Sequence, residues 1–467
     1  MACCMLYDIM KRTNIKLFFI AMMLMGFTQG FSQSASGQNL TFSPYSNFGM
    51  GEWLGTNMVQ NGSNLHTRSS AYSYTMANPA TLGNLYFTTF DFGGSFKSST
   101  IKAGDQTQTY RGGGMNYFNL AFRTYNYYHR IPYFDSASMQ KRIKTTRYGI
   151  NSAISLQPLT SVGYKYAISD STPFISKTTH SGYGGVNLLE LANGFRLGSH
   201  VHLGYSIGRV FGQINDQTIF SVPDSTNLNV LEDLKSVLIR GTQQKVGFLV
   251  DFKWDSTYHS FGGSYQTYNG MMGEQTRFTR TMELFGSFVS VVDTITNLTS
   301  PKQSFQLPNS FGLGYQFKYR QSWTLALDYK QQNWQQVGAM FFDAQRKYKD
   351  RKDYGVTFTL HPNDLRVQGR RKMQWPVRFG AVYSETQYAF ASSTGQVPLI
   401  QERVFLGFGV PIVRRYFDNS SLTSLIHVQL DYVQRGTTQY GLAQEKFFNV
   451  TLGLQLGDVW FQRRKFD

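Results

Sequence analysis

Cysteine is nearly absent. Among 467 residues only Cys3 and Cys4 occur, and both precede the apolar stretch "LFFIAMMLMGF", which follows Lys11, Arg12 and Lys16. A basic lead and a short apolar core read as an export signal covering residues 1–37, with cleavage after Gly30 or Gly37. The core is too short to cross a bilayer as a helix. With no cysteine after it, the chain is expected to carry neither a disulfide framework nor a lipid-modified N-terminal cysteine. Long apolar runs are also missing. Beyond the signal none approaches the roughly 20 residues that a membrane helix needs.

Acidic residues are scarce, with Asp and Glu numbering 28 against 45 Lys and Arg, a net charge of +17. Removing the signal leaves 42 basic and 27 acidic residues, or +15. Nucleic acid is a poor expectation for an exported chain. Outer-membrane lipids with anionic head groups suit the excess better.

Aromatic residues and glycine, by contrast, are abundant: 38 Phe, 29 Tyr and 44 Gly. In "KVGFLVDFKW", Val246, Phe248, Val250, Phe252 and Trp254 share one parity, opposed by Gly247, Leu249, Asp251 and Lys253. "SWTLALDYKQ" sets Trp323, Leu325, Leu327 and Tyr329 against Thr324, Ala326, Asp328 and Lys330. Period two is strand geometry. Candidate strands fall at 84–96, 113–124, 149–168, 186–197, 200–211, 244–255, 259–270, 310–320, 323–334, 375–384, 386–394, 401–411, 424–434 and 446–457. Tight turns follow the fourth, sixth, eighth and tenth, and longer loops follow the third, fifth, seventh and ninth. That alternation fits short periplasmic turns and longer outer loops. Residues 125–148 and 395–400 break it. The expected fold is all-β, an antiparallel transmembrane β-barrel of about 14 strands. A secreted sandwich or propeller would alternate too, with its apolar parity buried in a protein core.

Two segments depart from alternation. Residues 38–83 are rich in Ser, Asn and Gly and lead through "SYTMANPATLGNLYFTTFDFGGSF" into the first strand, so they read as an N-terminal hatch or plug, with 84–467 as the barrel. "NVLEDLKSVL" places Val230, Leu231, Leu234, Val237 and Leu238 at helical spacing behind an Asn229–Glu232 capping pair, and predicts a helix in an outer loop. The stretch 334–373, with "RKYKDRKDY", reads as a basic loop.

Several pieces resemble the FadL-type long-chain fatty-acid and hydrocarbon transporters of bacterial outer membranes. "MANPATLG", with Asn78, Pro79 and Ala80, is similar to the Asn-Pro-Ala segment where that family's hatch enters strand one. Leu307–Trp334 resembles its Leu-Pro…Gly-x-x-Tyr…Asp-Tyr…Trp hairpin, and "PVRFGAVYSE" and "VTLGLQLGD" look like its late strands. The tail "GDVWFQRRKFD" departs from the family's terminal strand and looks like that of Bacteroidota outer-membrane proteins, which also use such a barrel in type IX secretion. The resemblance implies passage of a hydrophobic or amphipathic small molecule past a hatch, with a lateral exit at an inward kink in strand three. In that strand stand Pro158, which cannot complete a ladder, and Gly163. A structural or docking role in a secretion or assembly complex, with protein partners, is the alternative, and an outer-membrane hydrolase a lesser one.

Catalytic arrangements are weak. His427 and Asp431 share a strand face but stand roughly 13 Å apart, as do His202 and Ser206. No spacing suggests a metal or cofactor site. On the parity argument Asp251, Lys253, Lys318, Asp328 and Lys330 face the lumen. They are read as interior salt bridges or as a polar rim for a substrate carboxylate, with Lys318 and Lys330 the foremost candidates.

Overall fold

The structure, a computed structural model, describes residues 43–47, 49–54, 59–135, 140–170, 176–223, 228–285, 288–320, 322–337, 348–361, 375–392, 395–415, 421–438 and 442–458. The expected signal and its cleavage sites lie outside the described residues, as does most of the terminal tail.

Alternating sequence becomes a continuous antiparallel ladder. A two-residue strand β1 (Glu52–Trp53) is followed by β2 (Thr88–Ala103), β3 (Gln106–Asp135), β4 (Gln140–Asp170), β5 (Ser176–Leu197), β6 (Val201–Pro223), β7 (Leu228–Trp254) and β8 (Thr257–Phe285). Then come β9 (Phe288–Thr299), β10 (Gln303–Ser304), β11 (Ser310–Tyr319), β12 (Trp323–Gln332), β13 (Arg351–Leu360), β14 (Val377–Ser392), β15 (Gly395–Arg415), β16 (Ser421–Arg435) and β17 (Ala443–Asp458). β8 pairs directly with β11, and β17 pairs with β2 from Ala443↔Ala103 to Asp458↔Thr88. Those two ladders close fourteen strands into a barrel of which β1, β9 and β10 are not staves. Closure leaves no ring strand as an open edge at the level where all fourteen overlap.

Which parity faces outward is settled by exposure. On β6, Val201, Leu203, Tyr205 and Ile207 are 38–45% exposed, whereas His202 and Ser206 between them are fully buried. A sandwich would do the reverse. Apolar side chains outside and polar ones inside are the pattern of a barrel wetted by lipid. Val246, Phe248, Phe252 and Trp254 on β7 follow it, with Trp254 74% exposed beside the tight turn to β8.

Three local readings are corrected. Residues 229–238 form no helix: they belong to β7, paired with β6 on one side (Asn215↔Ser236) and β8 on the other (Leu234↔Phe278). Ladders on both sides outweigh a local helical spacing, and Val237 and Ile239 share the inward parity of the strand. The basic stretch 334–373 contains a ring strand, β13, while 375–394 holds one strand rather than two, with a register shift between Glu385 and Ala389. Residues 125–148, expected as a connection, are mostly paired backbone that carries β3 and β4 well past their neighbours. The total of fourteen stands because one missed strand and one split strand cancel. We call the end where β2 begins and β17 stops the lower rim.

Candidate functional site

The described residues between 43 and 87 run inside the ring, bonded to inward side chains around its circumference. The Asn78-Pro79-Ala80 segment opens a 3-10 helix (Pro79–Asn84), with the Asn78 side chain accepting from the Ala80 amide. Asn78 Nδ2 also donates to the carbonyls of His66 (2.8 Å) and Phe248 of β7 (2.9 Å). This turn rests on a row of wall glycines, Gly194, Gly204 and Gly247, which are cross-strand neighbours on β5, β6 and β7. A Cβ on Gly204 would stand on the Ala80 nitrogen, and one on Gly247 on the Asn78 side chain. Beside them Ala121, Ala153 and Ala192, also adjacent, receive Leu82 and Leu85. Small residues in the wall are therefore the seat of the inner segment.

Polar anchors complete the seat. Asn151 donates to the Leu82 carbonyl at 2.6 Å, and Lys245 Nζ binds the Met76 carbonyl at 2.6 Å and Glu190 at 2.9 Å. Asp328 accepts from the Leu65 and His66 amides and pairs with His66 Nδ1 at 2.8 Å. Asp251 takes Asn84 at 2.7 Å and faces His202 at 3.3 Å. Higher up, Glu52 and Ser43 of the inner segment join Arg435, Glu445 and Lys97 of the wall in one buried cluster, with Arg435–Glu445 at 2.7 Å and Arg435–Glu52 at 3.1 Å. Burial alone would raise the Glu52 carboxyl, but Arg435 and Lys97 hold it below the ordinary carboxylate range.

The five charges expected in the lumen thus separate. Asp251 and Asp328 anchor the inner segment. Lys253, at the lower turn, is exposed beside the Tyr258 ring, and Lys318 lies half-buried near the lower end of β11. Lys330 faces open space within the ring. It lines a small open cavity between the inner segment and β12–β15, together with Trp53, His66, Arg351, Asp353 and Arg403. Arg351 and Arg403 are paired with Asp353 and Asp431, while Lys330 makes no hydrogen bond or ion pair among the described residues. The His66–Asp328 pair has the His66 Nε2 edge lying on Gly312, which leaves no room there for a nucleophile.

The β4–β5 ladder is irregular at Pro158, whereas Gly163 pairs regularly with Tyr183 of β5. The β3–β4 ladder ends at Phe118↔Leu156, although β4 continues to Asp170 along β5 with a register shift between Pro158 and Thr160. Above Leu156 the two strands part, leaving a seam. There β4 is capped from within: β1 pairs Glu52↔Ser161 and Trp53↔Thr160, Leu54 donates to the Leu159 carbonyl (3.0 Å), and Ser43 donates to the Gly163 carbonyl (2.8 Å). Gly51, at φ +85°, sits where a Cβ would strike Ser161. Leu159 at this seam belongs to an apolar cluster inside the ring that includes Trp53, Val186, Leu188, Ile239 and Trp334.

A family model described as BamG matches residues 14–128 and 140–467. The chain belongs to the BamG family. No curated protein matches this BamG-family chain. Among solved structures, the toluene transporter TodX of P. putida aligns with 84% of the chain and 96% of its own length, at 14% identity and a TM-score of 0.50. The CymD monoaromatic hydrocarbon channel covers 88% of the chain and all of itself (11% identity, TM-score 0.49), and a Pseudomonas aeruginosa FadL homologue 86% and 98% (9%, 0.47). At this identity the TodX likeness establishes a shared fold. The BamG-family barrel thus has the fold of TodX.

Proposed function

We propose that this outer-membrane barrel moves a hydrophobic or amphipathic small molecule from the cell exterior, past the inner segment acting as a plug, to a lateral exit at the β3–β4 seam. The lower rim then faces the periplasm. The reading is carried by one observation: β4 leaves its wall partner at Leu156 and is held instead by β1, next to the apolar cluster at Leu159. A wall whose missing partner is supplied by a removable internal strand has a built-in way to open. Lys330 is proposed to meet the polar end of an amphipathic ligand, as a carboxylate partner in the cavity. Pro158 and Gly163 set where β4 departs, and Asn78, Pro79 and Ala80 keep the plug's lower half fixed while its upper half moves.

The test locks β1 to β4. Glu52 and Ser161 are direct antiparallel neighbours, a spacing within disulfide reach. In proteoliposomes the Glu52→Cys/Ser161→Cys protein should take up a labelled fatty acid slowly when oxidised and recover on reduction. Uptake equal in both states, or no faster than in empty liposomes, overturns the reading.

A second reading, a docking or structural component of an outer-membrane assembly complex, is favoured by β9. Among the described residues it pairs only with β8, starting ten residues above Gln266 where the β8–β11 ladder ends, about 30 Å higher. There Val291, Val292, Ile295 and Leu298 are 48–61% exposed, and apolar edge strands in water invite a partner. A complex retained in fixed ratio in mild detergent and lost with Val292→Lys/Ile295→Lys supports this. A monomer with or without those substitutions sinks it.

A further inference from the structure

On β4 the inward positions that climb toward the seam are neutral and polar: Ser155, Gln157 and, past the register shift at Pro158, Thr160. All three are buried, at 0%, 3% and 2% exposure. Among the described residues Ser155 Oγ, Gln157 Nε2 and Thr160 Oγ1 have no hydrogen-bond partner. The strands alongside repeat the pattern. Asn119 of β3, opposite Ser155, leaves both of its side-chain amide atoms unbonded. Glu190 of β5, on the other side, uses Oε1 for Ser206 and Lys245 but leaves Oε2 without a partner. Gly208 of β6 follows in the same row, and then Gln243 of β7, whose side-chain amide is also unbonded.

Most buried polar side chains find a partner, and a group taken from water without one is destabilising. A row meant only to fasten the inner segment would be bonded to it, as Asn151 and Lys245 are. This row is instead covered. Its upper end lies at β1, through the Trp53↔Thr160 pair and the bond from Leu54 to the Leu159 carbonyl. On β5, Glu190 stands between Leu188 of one apolar cluster and Ala192 of the other. The unbonded atoms include both donors and acceptors. An ion of either sign would satisfy one kind, whereas water satisfies both.

We propose that the Ser155–Gln157–Thr160 row is a hydration switch for the seam. While β1 lies on β4, the row is shut away from solvent. When β1 lifts, water enters at Thr160 and bonds the row in turn, which offsets the few hydrogen bonds that β1 gives up. Two ladder pairs and the Leu54 bond thus hold a strand that the groups beneath it favour releasing. The inference rests on the reading above, in which β1 is the part that moves, and it names what draws β1 away.

The test uses the full chain in nanodiscs and reads amide exchange at 52–54, independently of any ligand. Gln157→Met/Thr160→Val keeps the bulk of both side chains and removes the unbonded groups. Exchange at 52–54 should slow about tenfold or more, because only the open state loses bonds, with exchange in β16 unchanged. Thr160→Ser, which keeps the hydroxyl, should not slow it. Ser155→Ala alone should slow it in the same direction, and serves where the double variant fails to insert. Exchange at 52–54 that is unchanged or faster in the variants lacking these groups overturns the proposal. Fatty-acid uptake, followed in parallel, separates the two readings. Slowed exchange with slowed uptake supports both, and slowed exchange with unaltered uptake upholds the switch while removing the seam from the route.

Discussion

Gly204 shows how much one missing methyl can carry. Its absent Cβ is where the Ala80 backbone lies, so Gly204→Val must push the plug turn off β6. The expected loss is about 1–3 kcal/mol of stability, as for an overfilled core, read by denaturant unfolding in detergent. Gly104→Val, in an open turn with nothing nearby, is a control for the wall position but strained by its own φ of +56°. Lys330 makes a second test. Lys330→Gln should slow uptake of a fatty acid about tenfold while leaving an uncharged hydrocarbon of similar size unaffected, since only the carboxylate loses a partner. Equal slowing of both assigns Lys330 to packing alone. Parity put Lys253, Lys318 and Lys330 on one face, with Lys318 and Lys330 foremost, whereas of the three only Lys330 lines the cavity. It reports a face, and says nothing of depth along the barrel.

Elements were legible where one face meets lipid. The apolar zigzags of β7 and β12 stand out because hydrocarbon and polar lumen impose opposite demands on successive residues. β13 was hidden because its start, "RKDYG", faces the polar cavity and the neighbouring strands, not lipid alone. The helix expected at 229–238 failed because β7 rises above the ring, where parity no longer has a lipid side and only pairing decides. The inner segment's contacts were not legible at all: Asn78 meets Phe248, and Ser43 meets Glu445, across 170 and 402 positions. The buried cluster around Arg435 gives the element-scale test. Arg435→Leu leaves the Glu52 and Glu445 carboxylates to share Lys97 and should cost about 3–5 kcal/mol. Because the Glu52 carboxyl is held low, its contribution is present above the ordinary carboxylate range and fades as pH falls through its lowered value. Acidification should therefore loosen β1 before it unfolds the ring, measured as faster amide exchange at 52–54 than in β16.

At the scale of the molecule, the ring and its contents are one hydrogen-bonded unit. Deleting residues 38–75 should raise ion conductance in planar bilayers severalfold, since the remaining strands close through β17 and β2 without them. Unchanged conductance means that the segment does not block the lumen. The same arrangement constrains how the protein is made. Tyr72 receives its bond from Gln455 at 2.6 Å, and Ser43 and Glu52 wait for Arg435 and Glu445. Those partners are synthesised last, so the opening residues have nowhere permanent to sit until the final two strands arrive. Biogenesis must keep the earliest stretch of polypeptide sheltered through almost the whole assembly and then enclose it in the same event that zips the first strand to the last.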